Sequence, residues 1–277
     1  MTTAHRFVLS LVCGALVLGV GSARASTEPT ASTQFLVLRE RGPGSAAQAQ
    51  PHVDRLMQRI GELSGWSAQG KYLRRREDAR PRLEAGRVKF ALLNLAAFLD
   101  LRQNVALEVL GSVDVSAAGG RRYHLVSKTA RGVDGCRGQT VASDHAGDRR
   151  FVDRVVAGQA FSLADFQLRP TKRPIQTLKR VLRDEATCAL IDDAQLTAAA
   201  KLEGGAALRT AWSSDQLPPM VLVATPGATA AERKRLRAQL SRVCTGPGEQ
   251  ACEAAGIRAL RSSDGAPYRR VIAAYGK

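Results

Sequence analysis

Residues able to do covalent or acid–base chemistry are sparse in this chain, which has five Cys and four His in 277 residues. No nucleophile elbow, P-loop or HExxH is present, and neither His124 nor His145 has an identifiable nucleophile at a telling spacing. CxxC spacing is absent, and only three His lie beyond the N-terminal apolar segment, so neither a metal nor any other cofactor is expected. Catalysis therefore ranks below binding as a task for this molecule. The elements that position the remaining polar and charged groups decide what could be bound.

Compartment comes first. Met1 to Ala25 carries His5 and Arg6, an apolar run from Phe7 to Val20, and Ala23-Arg24-Ala25, the three-part pattern of a secretory signal peptide cleaved after Ala25. The run is shorter than the ~20 residues a spanning helix needs, so no membrane span is expected after cleavage. Cys13 follows Ser10-Leu11-Val12, with no small residue directly before it, and is read as discarded rather than lipidated. Four cysteines remain, Cys136, Cys188, Cys244 and Cys252, an even number suited to an oxidising compartment. Three pairings are possible. Cys244 and Cys252 flank the turn-rich Thr245-Gly246-Pro247-Gly248, which can bring them together and leaves Cys136 with Cys188.

The composition fits a folded protein of one or two domains, with 44% hydrophobic residues, 41 Lys plus Arg and 25 Asp plus Glu. Losing the signal removes two Arg and no acid, so the formal charge falls only from +16 to +14. In an exported protein such charge suits small anions, a membrane surface or envelope polymers, or reflects an Arg-rich composition alone. No nucleic-acid motif accompanies it, and no nucleic-acid partner is expected. Arg74-Arg75-Arg76 is read as a solvated face.

Apolar runs at Phe35–Leu38, Val88–Leu93, Val105–Val109, Tyr123–Val126, Gln139–Ala142, Ala189–Ile191 and Met220–Ala224 read as strands. Between several of them lie helical patterns: Val53, Leu56, Met57, Ile60 and Leu63; Phe151 to Val156; Ile175, Leu178, Val181 and Leu182. Thr229 and Glu232 form a capping box opening a helix to about Val243. Strands alternating with helices specify parallel sheets covered on both faces, and two such runs suggest two α/β lobes.

Four segments in this order resemble the type 2 periplasmic binding proteins, specifically the phosphate, phosphite and phosphonate transporter group. They are Leu83-Glu84-Ala85-Gly86-Arg87-Val88-Lys89-Phe90-Ala91-Leu92-Leu93, Gly135-Cys136-Arg137-Gly138-Gln139-Thr140-Val141-Ala142, Leu163-Ala164-Asp165-Phe166, and Thr177 to Asp192. The resemblance implies an α/β fold of two lobes, each a mostly parallel sheet flanked by helices and joined by two hinge crossovers. Lobe 1 would be 33–112 plus 219–277, lobe 2 would be 121–212, and the hinges 113–120 and 213–218. It further implies an exported, monomeric protein that captures a small ligand, possibly phosphonate- or phosphate-like, for an ABC permease.

In such sheets ligands sit beyond the carboxyl ends of strands. That places Ser45 (with Gly42 to Gly44), Asn94, Ser143, Asp144, His145 and Asp192 as candidate ligand contacts. The alternative roles are a loop hydrogen bond for His145 and a helix N-cap for Asp192. The resemblance implies a Ser-Thr-Ser-Gly run at 144–148, where this chain has Asp144, His145, Ala146, Gly147 and Asp148, followed by Arg149-Arg150. Carboxylates there repel a dianion unless Arg149, Lys172 or Arg173 compensates. Hence the rival expectation: a sensor or interaction module of the same fold, partnered by a histidine kinase, that has lost the transport pocket.

Overall fold

The computed structural model describes residues 32–41, 45–115 and 120–276. The signal segment, its cleavage point, Gly42 to Gly44 and residues 116–119 of the expected first hinge lie outside the described residues. The chain opens with β1 (Thr33–Leu38), α1 (Ala46–Ser64), β2 (Ala68–Leu73), α2 (Arg76–Glu84), β3 (Phe90–Leu93), α3 (Leu95–Leu101) and β4 (Glu108–Val115). A second set follows: β5 (Tyr123–Ser127), β6 (Thr140–Ser143), α4 (Arg149–Phe151) running into a π-helical turn at Val152–Val156, β7 (Gln167–Pro170), α5 (Pro174–Leu182), β8 (Cys188–Asp192), α6 (Asp193–Ala199) and β9 (Arg209–Ser213). The chain then returns to the first set through β10 (Met220–Ala224), α7 (Ala230–Val243), α8 (Glu249–Ala254), β11 (Ile257–Ser262) and α9 (Arg269–Gly276).

Two sheets result, ordered β11-β4-β10-β3-β1-β2 and β7-β6-β8-β5-β9. Both are mixed. β1 pairs in parallel with β2 and β3, and β6 with β7 and β8, as βαβ connections require. The antiparallel pairs are β10 with β3 and β4, β11 with β4, and β5 with β8 and β9. All of them involve the strands on either side of the two chain crossings, or β11 that follows, because a strand entering from the other lobe arrives from the opposite end of the sheet.

Central strands are buried on both faces, so their side chains divide by parity between two cores. Phe35, Val37, Phe90 and Leu92 pack with Val53, Leu56 and Ile60 of α1 and Leu236 and Leu240 of α7. Leu36, Leu38, Ala91 and Leu93 face the other way, with Leu83, Phe98 and Tyr268. Disulfides join Cys136 to Cys188, beneath β8, and Cys244 to Cys252, across the turn between α7 and α8. This is the pairing expected from the turn-rich spacing.

Among the described residues no helix is long and apolar enough to cross a membrane.

Candidate functional site

A cavity of about 770 Å³ lies where the two sheets face each other. Its walls are segments that follow parallel strands: Arg39 to Arg41 after β1, Asn94 to Ala96 after β3, His145 after β6, Lys172 and Arg173 after β7, and Asp192, Ala194 and Gln195 after β8. Gly120, Arg121, Pro218 and Met220, beside the two crossings, close it. The carboxyl-end position follows from the winding of the sheets, since loops and helix N-termini gather there.

Six basic side chains line the cavity, Arg39, Arg41, Arg74, Arg121, Lys172 and Arg173, against two carboxylates, Glu40 and Asp192. Lys172 and Arg173 are exposed at the start of α5, a helix that opens with Pro174 and no side-chain cap. Neither they nor Arg39 and Arg121 have a carboxylate partner within 4.0 Å among the described residues. Arg121 donates from Nε to Leu217 O at 2.8 Å instead. Ile175 is the one large apolar side chain among the described residues that is exposed, at 41%, and it too faces the cavity.

Behind this rim lies a buried polar cluster built on the sequence-predicted residues. The Asp144 carboxylate is only 3% exposed. Its Oδ1 accepts from Gln195 Nε2 at 2.9 Å and Thr177 Oγ1 at 3.2 Å; its Oδ2 has Arg41 Nε at 3.4 Å and no hydrogen bond. Gln195 Oε1 accepts from Asp192 N at 3.0 Å and lies 3.2 Å from His145 Nε2, which must therefore donate. Burial, then the nearby Arg41 charge, pushes the His145 imidazole down to about 4, so it is neutral at physiological pH. The same burial, with Asp193 and Asp144 alongside, pushes Asp192 up to about 6. Asp192 also caps α6 in a capping box with Gln195, accepting from Gln195 N at 2.9 Å.

The candidate contacts thus separate. Asn94, His145 and Asp192 line the cavity. Asp144 stands just behind His145. Ser143 is fully buried, donating to Leu190 O and accepting from His145 N, so its hydroxyl holds the loop rather than facing the cavity. Ser45 is not part of the lining either: its hydroxyl accepts from Gln48 N and caps α1.

Arg76 corrects the solvated-face expectation for the Arg74–Arg76 run. Its side chain is 14% exposed and forks onto Glu40 at 2.8 and 2.7 Å. The same guanidinium reaches Asp148 Oδ2 at 2.6 Å, tying α2 of lobe 1 to the β6–α4 loop of lobe 2. Burial alone would raise the Glu40 carboxyl, but Arg76 holds it below the usual range. A second bridge runs from Arg41 Nη2 and Nε to Asp144 O, at 2.9 and 3.2 Å. Arg41 adopts a left-handed φ of 58°, rare for a residue with a side chain, where it reaches across the lobes. No periodicity reports such pairings, because only the folded arrangement brings 76 beside 148 and 41 beside 144.

Two lobes around a cleft at their strand ends define the type 2 periplasmic binding fold. Over residues 43–268 the chain matches the family described as ABC transporter, phosphonate, periplasmic substrate-binding protein, and it belongs to that family. Solved structures with the same fold include XAC2383 from Xanthomonas citri bound to chloride ion, at 15% identity and TM-score 0.69 over 88% of this chain and 96% of that one. XAC2383 bound to ATP is similar at 14% identity and TM-score 0.68, with the same coverage. PhnD1 from Prochlorococcus marinus in complex with methylphosphonate is 8% identical, with TM-score 0.63 over 87% of this chain and 95% of that one. A comparison with curated protein sequences gives no match.

Proposed function

We propose that this protein is the exported solute-binding component of an ABC transporter and captures a small anion in the interlobe cavity. The observation that carries this is the charge of the lining, six cationic side chains, of which Arg41 is paired with Asp144, against two carboxylates, of which Glu40 is paired with Arg76. In a partly desolvated cleft such an excess attracts an anion and repels a cation. Chloride, ATP and methylphosphonate, named with the fold relatives, are all anions. Signal cleavage after Ala25 and action as a monomer belong to the same proposal, as do hinges at 113–120 and 213–218 that let the lobes close.

Where a Ser-Thr-Ser-Gly run would offer hydroxyls, Asp144 has its charge met by Arg41, Gln195 and Thr177. The anion is therefore assigned to the side of the cavity formed by Arg121, Lys172 and Arg173. Binding by lobe closure and release to a permease is the task; no bond is made or broken.

One observation favours a second reading. Three arginine bridges, Arg41 to Asp144, Arg76 to Asp148 and Arg150 Nε to Tyr275 O at 2.8 Å, join the lobes through the protein's own groups. A module held closed without a solute suits signalling to a partner better than cycling through a transporter.

A thermal-shift screen of residues 26–277 against phosphate, phosphite, phosphonates, nucleotides, amino acids and polyamines separates the two. Ligand at 100 times its Kd stabilises by about 2.7 kcal/mol, a rise of several degrees for a chain this size. A hit confined to anions supports capture for transport. Silence across the panel sinks it and leaves the sensor.

A further inference from the structure

Lobe 1 contains a second cavity of about 490 Å³, between the sheet, α1 and the segment joining α8 to β11. Its floor is apolar, formed by Val53, Leu56, Leu92, Val113 and Ile257, each 6% exposed or less, with the ring of Tyr72. The polar groups at its walls are Gln48, His52 and exposed Glu253. Three residues, Arg39, Val115 and Met220, line both this chamber and the interlobe cavity, so they form the partition between them.

Arg39 is the unusual member of that partition. It is half-buried, donates from Nη1 to Ala255 O at 3.2 Å, and has no carboxylate within 4.0 Å among the described residues. Burial lowers the guanidinium below its ordinary range, the sign of a charge short of solvation. A lone cation at the mouth of an apolar chamber is complementary to a molecule with one anionic end and one apolar end. We propose that the chamber is a second subsite, separate from the anion position assigned to Arg121, Lys172 and Arg173, taking the apolar chain of a single-headed anionic amphiphile whose head group pairs with Arg39. A methylphosphonate-sized solute would leave it empty. The chamber's volume lies within the range of dedicated ligand pockets, and its apolar floor favours contact with hydrocarbon over water.

The assignment rests on the anion-binding reading of the cleft only through the shared Arg39. Calorimetric titration with methyl-, butyl-, hexyl- and octylphosphonate tests it. In the unaltered protein affinity is expected to climb about fourfold per methylene buried. Ala49→Phe, which fills the chamber from α1, is expected to flatten the series, and Arg39→Gln to weaken octylphosphonate at least tenfold. Should Ala49→Phe not fold, Ala255→Leu fills the same space from the opposite wall. Octylphosphonate binding that depends on these residues while methylphosphonate fails to bind upholds the chamber and removes the small-anion reading. An octyl chain that binds no tighter than a methyl group, or a chain-length dependence untouched in a folded filled variant, overturns the chamber.

Discussion

Asp192 and His145 share one hydrogen-bonded cluster and respond to pH in opposite senses. Asp192 titrates near 6, so between about pH 4 and 6 the native state holds a proton that the unfolded chain has lost, and stability falls as pH rises. His145 titrates near 4, so between about pH 6.5 and 4 the unfolded chain gains a proton that the native state refuses, and stability falls as pH drops. The slopes offset each other in the unaltered protein. Asp192→Asn keeps an acceptor for Gln195 N and removes the buried charge. It is expected to raise stability at pH 7 by about 1–3 kcal/mol and to steepen the loss on acidification from 6 to 4. Guanidinium midpoints at pH 4.5, 5.5 and 7 read both; an unchanged pH slope would remove Asp192 from the titrating pair. The two candidate residues were legible because a polar residue directly after a strand is placed at the cleft. Their division into lining and support was not, since it depends on which hydroxyl or amide each side chain finds after folding.

The elements divide in the same way. Expected strands lie at β1, β3, β5, β6, β8 and β10, whose apolar runs are buried on both faces. The runs that carried no strand signal were Ala68–Leu73, Gln167–Pro170, Arg209–Ser213 and Ile257–Ser262, which are β2, β7, β9 and β11. These are the four edge strands of the two sheets. An edge strand has a neighbour on one side only and carries charge and amides toward water, which erases the apolar run that marks a central strand. β4 was displaced for a related reason: Leu110, Val113 and Val115 are buried among the partly exposed Ser112 and Asp114, so its signal is broken beyond Val109.

At the same scale the disulfides are expected to contribute unequally. Cys136–Cys188 closes a separation of 52 residues and Cys244–Cys252 one of 8. Loop-closure entropy then assigns about 4 kcal/mol to the first and about 2.6 kcal/mol to the second. Paired Cys→Ala variants, compared by thermal melting, should show the larger drop for 136/188. Equal drops would contradict an entropic origin.

For the whole molecule the governing question is what holds the lobes together. Asp148→Ala removes the Arg76 bridge across the cleft while leaving Arg76 with Glu40, so the stability cost should be about 1–3 kcal/mol. Its expected effect is on shape: a larger radius of gyration by small-angle scattering in the absence of solute, restored by any anion that binds. An unchanged radius would mean that the bridge does not set the resting arrangement. The two-lobed architecture was legible from the order of helices and strands. The bridges were not, because a triplet of arginines looks the same on a solvated face as at a lobe junction.

The central claim, an anion held on the Arg121, Lys172 and Arg173 side of the cleft, is tested most directly by one calorimetric experiment. Residues 26–277 and the Lys172→Gln/Arg173→Gln double variant are titrated with phosphate, methylphosphonate and ATP. At least one anion is expected to bind the unaltered protein and to lose tenfold or more in affinity in the variant. No binding by any of the three, or binding of equal strength in the two proteins, would contradict it.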